Sequence, residues 1–159
     1  LAFLDKNEIE IIRLIKKAGY SIDENTPLCL KGKEYVGFIK KKQRKLVICT
    51  NNVLQRVNYK YIRLKRTDGF ERVSIHLKKA LRHEAVHLAQ ECNNGNLLNL
   101  KTTLRLNPSK LNALKGSIKI SGEEEKEKEA YILEDRPKLV IKELKKYCLW
   151  KIVELALSK

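Results

Sequence analysis

The sequence predicts a single α+β domain over residues 1–159: a small antiparallel hairpin, then one long helix, then a set of C-terminal helices. Three observations carry this. β-Branched and aromatic residues flank a basic turn between positions 34 and 50. An apolar stripe at helical spacing runs through residues 71 to 92. Prolines suited to a first helical turn stand at 108 and 137. With 159 residues, the chain has the length of one domain and can bury a core without cross-links.

Taken in order, "NEIEIIRLIKKAGYS" reads as a helix. Ile9, Ile12, Leu14 and Ile15 recur near helical spacing, Lys16 and Lys17 suit its negative C-terminal end, and Gly19 stops it. "PLCLKG" offers a short strand. "EYVGFIKKKQRKLVICTNN" is a hairpin, with Tyr35, Val36, Phe38 and Ile39 on one strand and Leu46, Val47, Ile48 and Cys49 on the other. "NNVLQRVNYKYIRLKRTDG" fits either an edge strand, through Tyr59, Tyr61 and Arg63, or a short helix. After Thr67-Asp68-Gly69 comes the long helix, with Val73, Leu77, Ala80, Leu81, Ala85, Leu88 and Ala89 on one face and Asn93-Asn94-Gly95 ending it. "PSKLNALKGS" is a short helix and "GEEEKEKEAYILED" another, with acids where the helix dipole favours them. Arg136-Pro137 breaks it, and a final helix runs through "PKLVIKELKKYCLWKIVELAL".

The totals narrow the class. Apolar residues make up 43% and charged residues 33%, a globular rather than a disordered composition. No run approaches the roughly 18 to 20 apolar residues of a membrane helix, so no membrane is expected. The N-terminus lacks the apolar core and cleavage site of a signal peptide; the chain begins at Leu1 and holds no Met, which points to a start further upstream. Cys29, Cys49, Cys92 and Cys148 are widely spread with no CxxC pair, so they read as reduced, buried thiols in a cytoplasmic protein. The net charge is +15, which suits nucleic acid or another anionic surface. The excess is mostly Lys, 25 against 9 Arg. Arg is the usual reader of guanine, so compositional drift is the preferred explanation.

Two of the three histidines fall in "HEAVH", residues 83 to 87. On a helix, residues four apart lie one above the other, so both imidazoles can converge on one metal. Glu84 then flanks them, placed to take a proton from water. That is the chemistry of H-E-x-x-H: two zinc ligands and one general base. Apart from Glu84, residues 83 to 89 carry no fixed charge, although a third of the chain is charged. Arg82 sits where it can face outward. His76 reads as incidental. A catalytic zinc takes three protein ligands, and no histidine follows His87. The third must come from elsewhere, and a carboxylate on a later helix is the obvious supply: Glu123, Glu124, Glu125, Glu127, Glu129 or Glu134.

Here the chain resembles the gluzincin zinc peptidases in their minimal, single-domain form, with a fainter likeness to SprT-like proteases. The likeness rests on His83-Glu84-Ala85-Val86-His87 and on a later helix bearing Glu127-Lys128-Glu129-Ala130. It implies a zincin-like fold and Zn2+ held by His83, His87 and Glu127, with Glu129 in reserve. It implies hydrolysis of a protein or peptide substrate with Glu84 as base. Where such proteins place an acid four residues beyond the third ligand, this chain has Tyr131, which is either an oxyanion donor or a packed ring. The likeness also implies an exposed strand that binds substrate in extended form, and the hairpin is correctly placed for it. Two other functions stay open: a basic nucleic-acid-associated protein, and a structural zinc protein that does no chemistry.

Overall fold

The computed structural model describes residues 4–64, 69–99 and 106–149, with the backbone alone for 58–64, 69 and 70. Among these it is α+β, with six α-helices and one three-stranded sheet. The helices are α1 (Lys6–Lys17), α2 (Thr50–Leu64), α3 (Gly69–Cys92), α4 (Pro108–Ser121), α5 (Glu124–Leu133) and α6 (Pro137–Leu144). The strands are β1 (Ser21–Glu24), β2 (Gly37–Lys40) and β3 (Lys45–Ile48). Thr67 and Asp68, read as preceding the long helix, and the far half of the predicted last helix, from 150 on, lie outside the described residues.

Helix α1 starts where Asp5 accepts a hydrogen bond from the Asn7 amide and stops before Gly19, whose φ is +81°. Its buried face is Ile11, Leu14 and Ile15, while Ile9 is 59% exposed. The predicted face is therefore rotated. Glu8 turns inward to meet Arg82 of α3, and that ion pair fixes which side of α1 faces the core. Arg82, expected to face outward, is thus held inside; it also donates to the Glu134 carbonyl.

The hairpin forms, with Gly37 opposite Ile48 and Lys40 opposite Lys45. The sheet is not purely antiparallel, however. β1 lies on the other side of β3 and runs parallel to it, pairing Ser21 with Lys45. This strand was not legible because "SIDE" carries one apolar residue. Buried β3 splits its side chains between two faces. Leu46 and Ile48 join the main core, whereas Val47 packs with Cys29 and Cys49 under Tyr35 and Phe38. "PLCLKG" is no strand: Pro27–Lys31 is a 3-10 turn, part of the crossover that a parallel pair requires. The Asn52 amide holds that crossover by donating to the carbonyls of Cys29, Gly32 and Tyr35.

The ambiguous stretch after Cys49 is helical as far as Leu64, and the side chains of Tyr59, Tyr61 and Arg63 lie outside the described residues. All seven residues predicted for the buried face of α3 are buried. The helix ends at left-handed Asn94 and Gly95, as predicted. α5 and α6 pack against α3 from one side, β2 and β3 from another. Among the described residues no helix is long and apolar enough to cross a membrane.

The cysteines are not free. Cys29 is bonded to Cys49 and Cys92 to Cys148. Sequence separations of 20 and 56 residues announce no pairing; the crossover and the turn after α6 bring each pair within bridging distance. The cytoplasmic expectation rested on reduced thiols and loses that support.

Candidate metal centre

The centre is built where α3 and α5 cross. Ala85, Leu88 and Ala89 on α3, and Ala130 and Leu133 on α5, are almost wholly buried. Small residues at the crossing let the two helices approach closely. That approach brings Glu127 of α5 beneath the two histidines of α3.

The donor atoms converge. His83 Nε2 lies 3.2 Å from His87 Nε2 and 3.2 Å from Glu127 Oε2. His87 Nε2 lies 3.5 Å from Glu127 Oε1. Two donors each about 2.0–2.1 Å from a tetrahedral ion stand about 3.3–3.4 Å apart. The three groups thus have the spacing of ligands around one ion, and His83, His87 and Glu127 could hold a metal.

The far side of each ring supports this. His83 Nδ1 meets Glu134 Oε2 at 3.2 Å, and His87 Nδ1 meets Gln90 Oε1 at 2.8 Å. Both partners are acceptors, so each Nδ1 carries the proton and each Nε2 keeps its lone pair. Two buried lone pairs facing each other beside a carboxylate need a cation between them. In the metal-free protein a proton serves: burial alone would push His83 down, but hydrogen bonding to Glu127 and Glu134 outweighs it and holds the imidazole up to about 9. Burial would raise Glu127, yet hydrogen bonds from both rings keep it well below the usual carboxylate range.

Glu84 lies next to this cluster, against Gly37 of β2. Burial pushes its carboxyl upward, partly opposed by the charges of His87 and His83. An elevated carboxyl is better matched to taking up a proton near neutral pH. A cleft of about 1270 Å³ opens over the cluster; Gly37, Phe38, Arg56, Ser117 and Tyr131 are among its lining residues.

Of the predicted residues, His83, His87, Glu127 and Glu84 come together. Glu129 does not join them. Both of its oxygens accept from the Leu98 amide, and one accepts from Gln90. Residues two apart on a helix point about 200° from each other, so only one of Glu127 and Glu129 can face the histidines. Tyr131 packs its ring on His83, centroids 4.5 Å apart, and its hydroxyl bonds Ser117 Oγ at 2.9 Å. The ring is thus packed against a candidate ligand, with the hydroxyl engaged by Ser117 at the cleft wall. The roles of Glu134 and Gln90 were missed. Glu134 stands seven residues after Glu127, two turns along the same face, and that spacing was the available signal.

Residues 1–149 match a family model described as a domain of unknown function, DUF8637. The chain belongs to this family. Neither a curated protein nor a solved structure matches it. The functional reading of this DUF8637 chain therefore stands on its own side chains.

Proposed function

We propose that the chain is a zinc-dependent metallopeptidase, a hydrolase with Glu84 as its general base. One observation carries this: two imidazole Nε2 atoms and a carboxylate converge at ligand spacing, with a second buried carboxylate beside them under an open cleft. Two nitrogens and one oxygen with a position left open suit zinc. The arrangement is also the one that the likeness to minimal gluzincins implies.

When bound, zinc would supply Lewis acidity, lowering the pKa of water toward about 7 and polarising a carbonyl. The chain's own residues do the rest. His83 and His87 present lone pairs because Glu134 and Gln90 hold their other nitrogens. Glu84 accepts a proton as water oxygen bonds the peptide carbonyl carbon. It then delivers that proton to the amide nitrogen as the C–N bond breaks. β2 is an edge strand, and its free side can pair with an extended substrate through main-chain hydrogen bonds, which tolerate many side chains. Two disulfides favour a non-reducing compartment for this work.

The test is metal content and casein or peptide cleavage measured together. Wild type should bind one zinc and cleave. Glu84→Gln should keep zinc and lose cleavage, and His83→Ala and Glu127→Ala should lose both. Wild-type protein that takes up no zinc would end the reading. The alternative, a nucleic-acid-associated protein, rests on the +15 charge alone; binding that falls steeply with salt would favour it.

A further inference from the structure

Helix α4 forms part of the cleft wall and packs chiefly on α5. Its attachments lie on one stripe: Lys110, Leu114 and Ser117, spaced four and three apart. Leu114 is the apolar anchor. The polar two both end on residues that touch His83. Ser117 bonds the Tyr131 hydroxyl, and the Tyr131 ring lies on the His83 ring. Lys110 Nζ is 2.9 Å from Glu134 Oε1, while the other oxygen, Oε2, faces His83 Nδ1 at 3.2 Å. Lys110 also bonds Asp135 Oδ2 at 2.8 Å and the Tyr131 carbonyl, and its side chain is 12% exposed.

A side chain this buried, with three acceptors around its ammonium, is held in one place. Glu134 is therefore clamped from both ends: one oxygen by α4, the other against a metal ligand. Without the ammonium, its carboxylate would be free to rotate off His83.

We propose that Lys110 is a positioning residue for the metal centre, holding Glu134 against His83 so that the seating of α4 sets how tightly the site binds zinc. This rests on the reading of His83, His87 and Glu127 as zinc ligands. Orienting partners of metal-bound histidines are worth about 10- to 100-fold in metal affinity, and Lys110, one bond further out, acts through Glu134 alone.

The test is a double-mutant cycle read as zinc affinity, by competition with a chromophoric chelator. Glu134→Gln should weaken zinc binding about 10-fold or more. Lys110→Ala should weaken it about 3- to 10-fold, and the double variant should match Glu134→Gln alone. Lys110→Arg should restore most of the affinity. Lys79→Ala, which removes the 2.8 Å ion pair to Asp135 without touching Glu134, should leave affinity unchanged. Should Lys110→Ala fail to fold, Lys110→Gln takes its place in the cycle. Losses that multiply in the double variant, or a Lys110 variant that lowers only the melting temperature, would overturn the proposal. Wild type that binds no zinc would instead remove the metal reading beneath it.

Discussion

Glu84 occupies the space that a side chain at position 37 would need. A Cβ on Gly37 would fall 2.7 Å from Glu84 Cγ and 3.0 Å from Oε1. The edge strand and the candidate base are therefore in direct contact, and Gly37 is what allows it. Gly37→Ala should push the carboxylate aside. The expected result is peptide hydrolysis reduced by about 10- to 100-fold, as for a misplacement of about 1 Å, with zinc content unchanged. Kinetics and metal analysis on the same preparation check this; undiminished turnover would mean that Glu84 does not act from this position.

Gln90 and Glu129 form a chain from His87 to the Leu98 amide. Gln90→Ala frees the Nδ1 of His87 and should weaken zinc about 10-fold. Glu129→Ala acts one link further away. It should leave zinc bound and cost about 1–3 kcal/mol of stability, because the amide of buried Leu98 loses its acceptor. Chelator competition and denaturant unfolding separate the two. Loss of metal in Glu129→Ala, with Glu127→Ala retaining it, would reverse the ligand assignment.

On the proposed zinc reading, the metal and a proton compete for His83. Its pKa in the folded metal-free protein, about 9, lies above the ordinary 6.5. A raised value stabilises the metal-free fold fully below pH 6.5, and that contribution fades as pH rises through about 9. Zinc affinity runs the other way. It should climb about tenfold per pH unit toward pH 9 as one proton is displaced, then level off. Titrations between pH 6 and 9 in two buffers of different ionisation enthalpy measure both slope and proton release. A flat profile would contradict the hydrogen bonds drawn around His83.

Both disulfides should add stability. The chain-entropy relation gives about 3 kcal/mol for the loop closed by Cys29–Cys49 and about 4 kcal/mol for Cys92–Cys148. Protein unfolded without reductant should titrate no free thiol, and reduction of both bonds should lower the melting temperature by roughly 15–30 °C. Four titratable thiols in protein purified without reductant would restore the cytoplasmic reading.

The centre was legible where chemistry follows helical spacing. His83 and His87 share a face by arithmetic, and Glu127 was favoured because Glu127-Lys128-Glu129-Ala130 fits the gluzincin likeness. The supporting groups were harder to see. Gln90 and Glu134 matter only because two helices meet at one angle, which no local pattern encodes. The seven buried residues of α3 were readable because their stripe is broad. β1 was not, because a short parallel edge strand needs little apolar content. α1 was read as a helix but rotated, since apolar spacing cannot anticipate a glutamate drawn inward by an arginine 74 residues away. The cysteine pairs failed for the same reason: their proximity belongs to the assembled topology.

The Cys92–Cys148 bond has one more effect. Both histidines precede Cys92, and Glu127 lies inside the loop that the bond closes. A backbone nick between residues 93 and 126 would split the chain into a histidine-bearing piece and a glutamate-bearing piece, yet the two would stay covalently tied. If the proposed peptidase reading holds, damage of this kind would not cost the centre half of its ligands, and the nick would show on a gel only after the sulfur link is reduced.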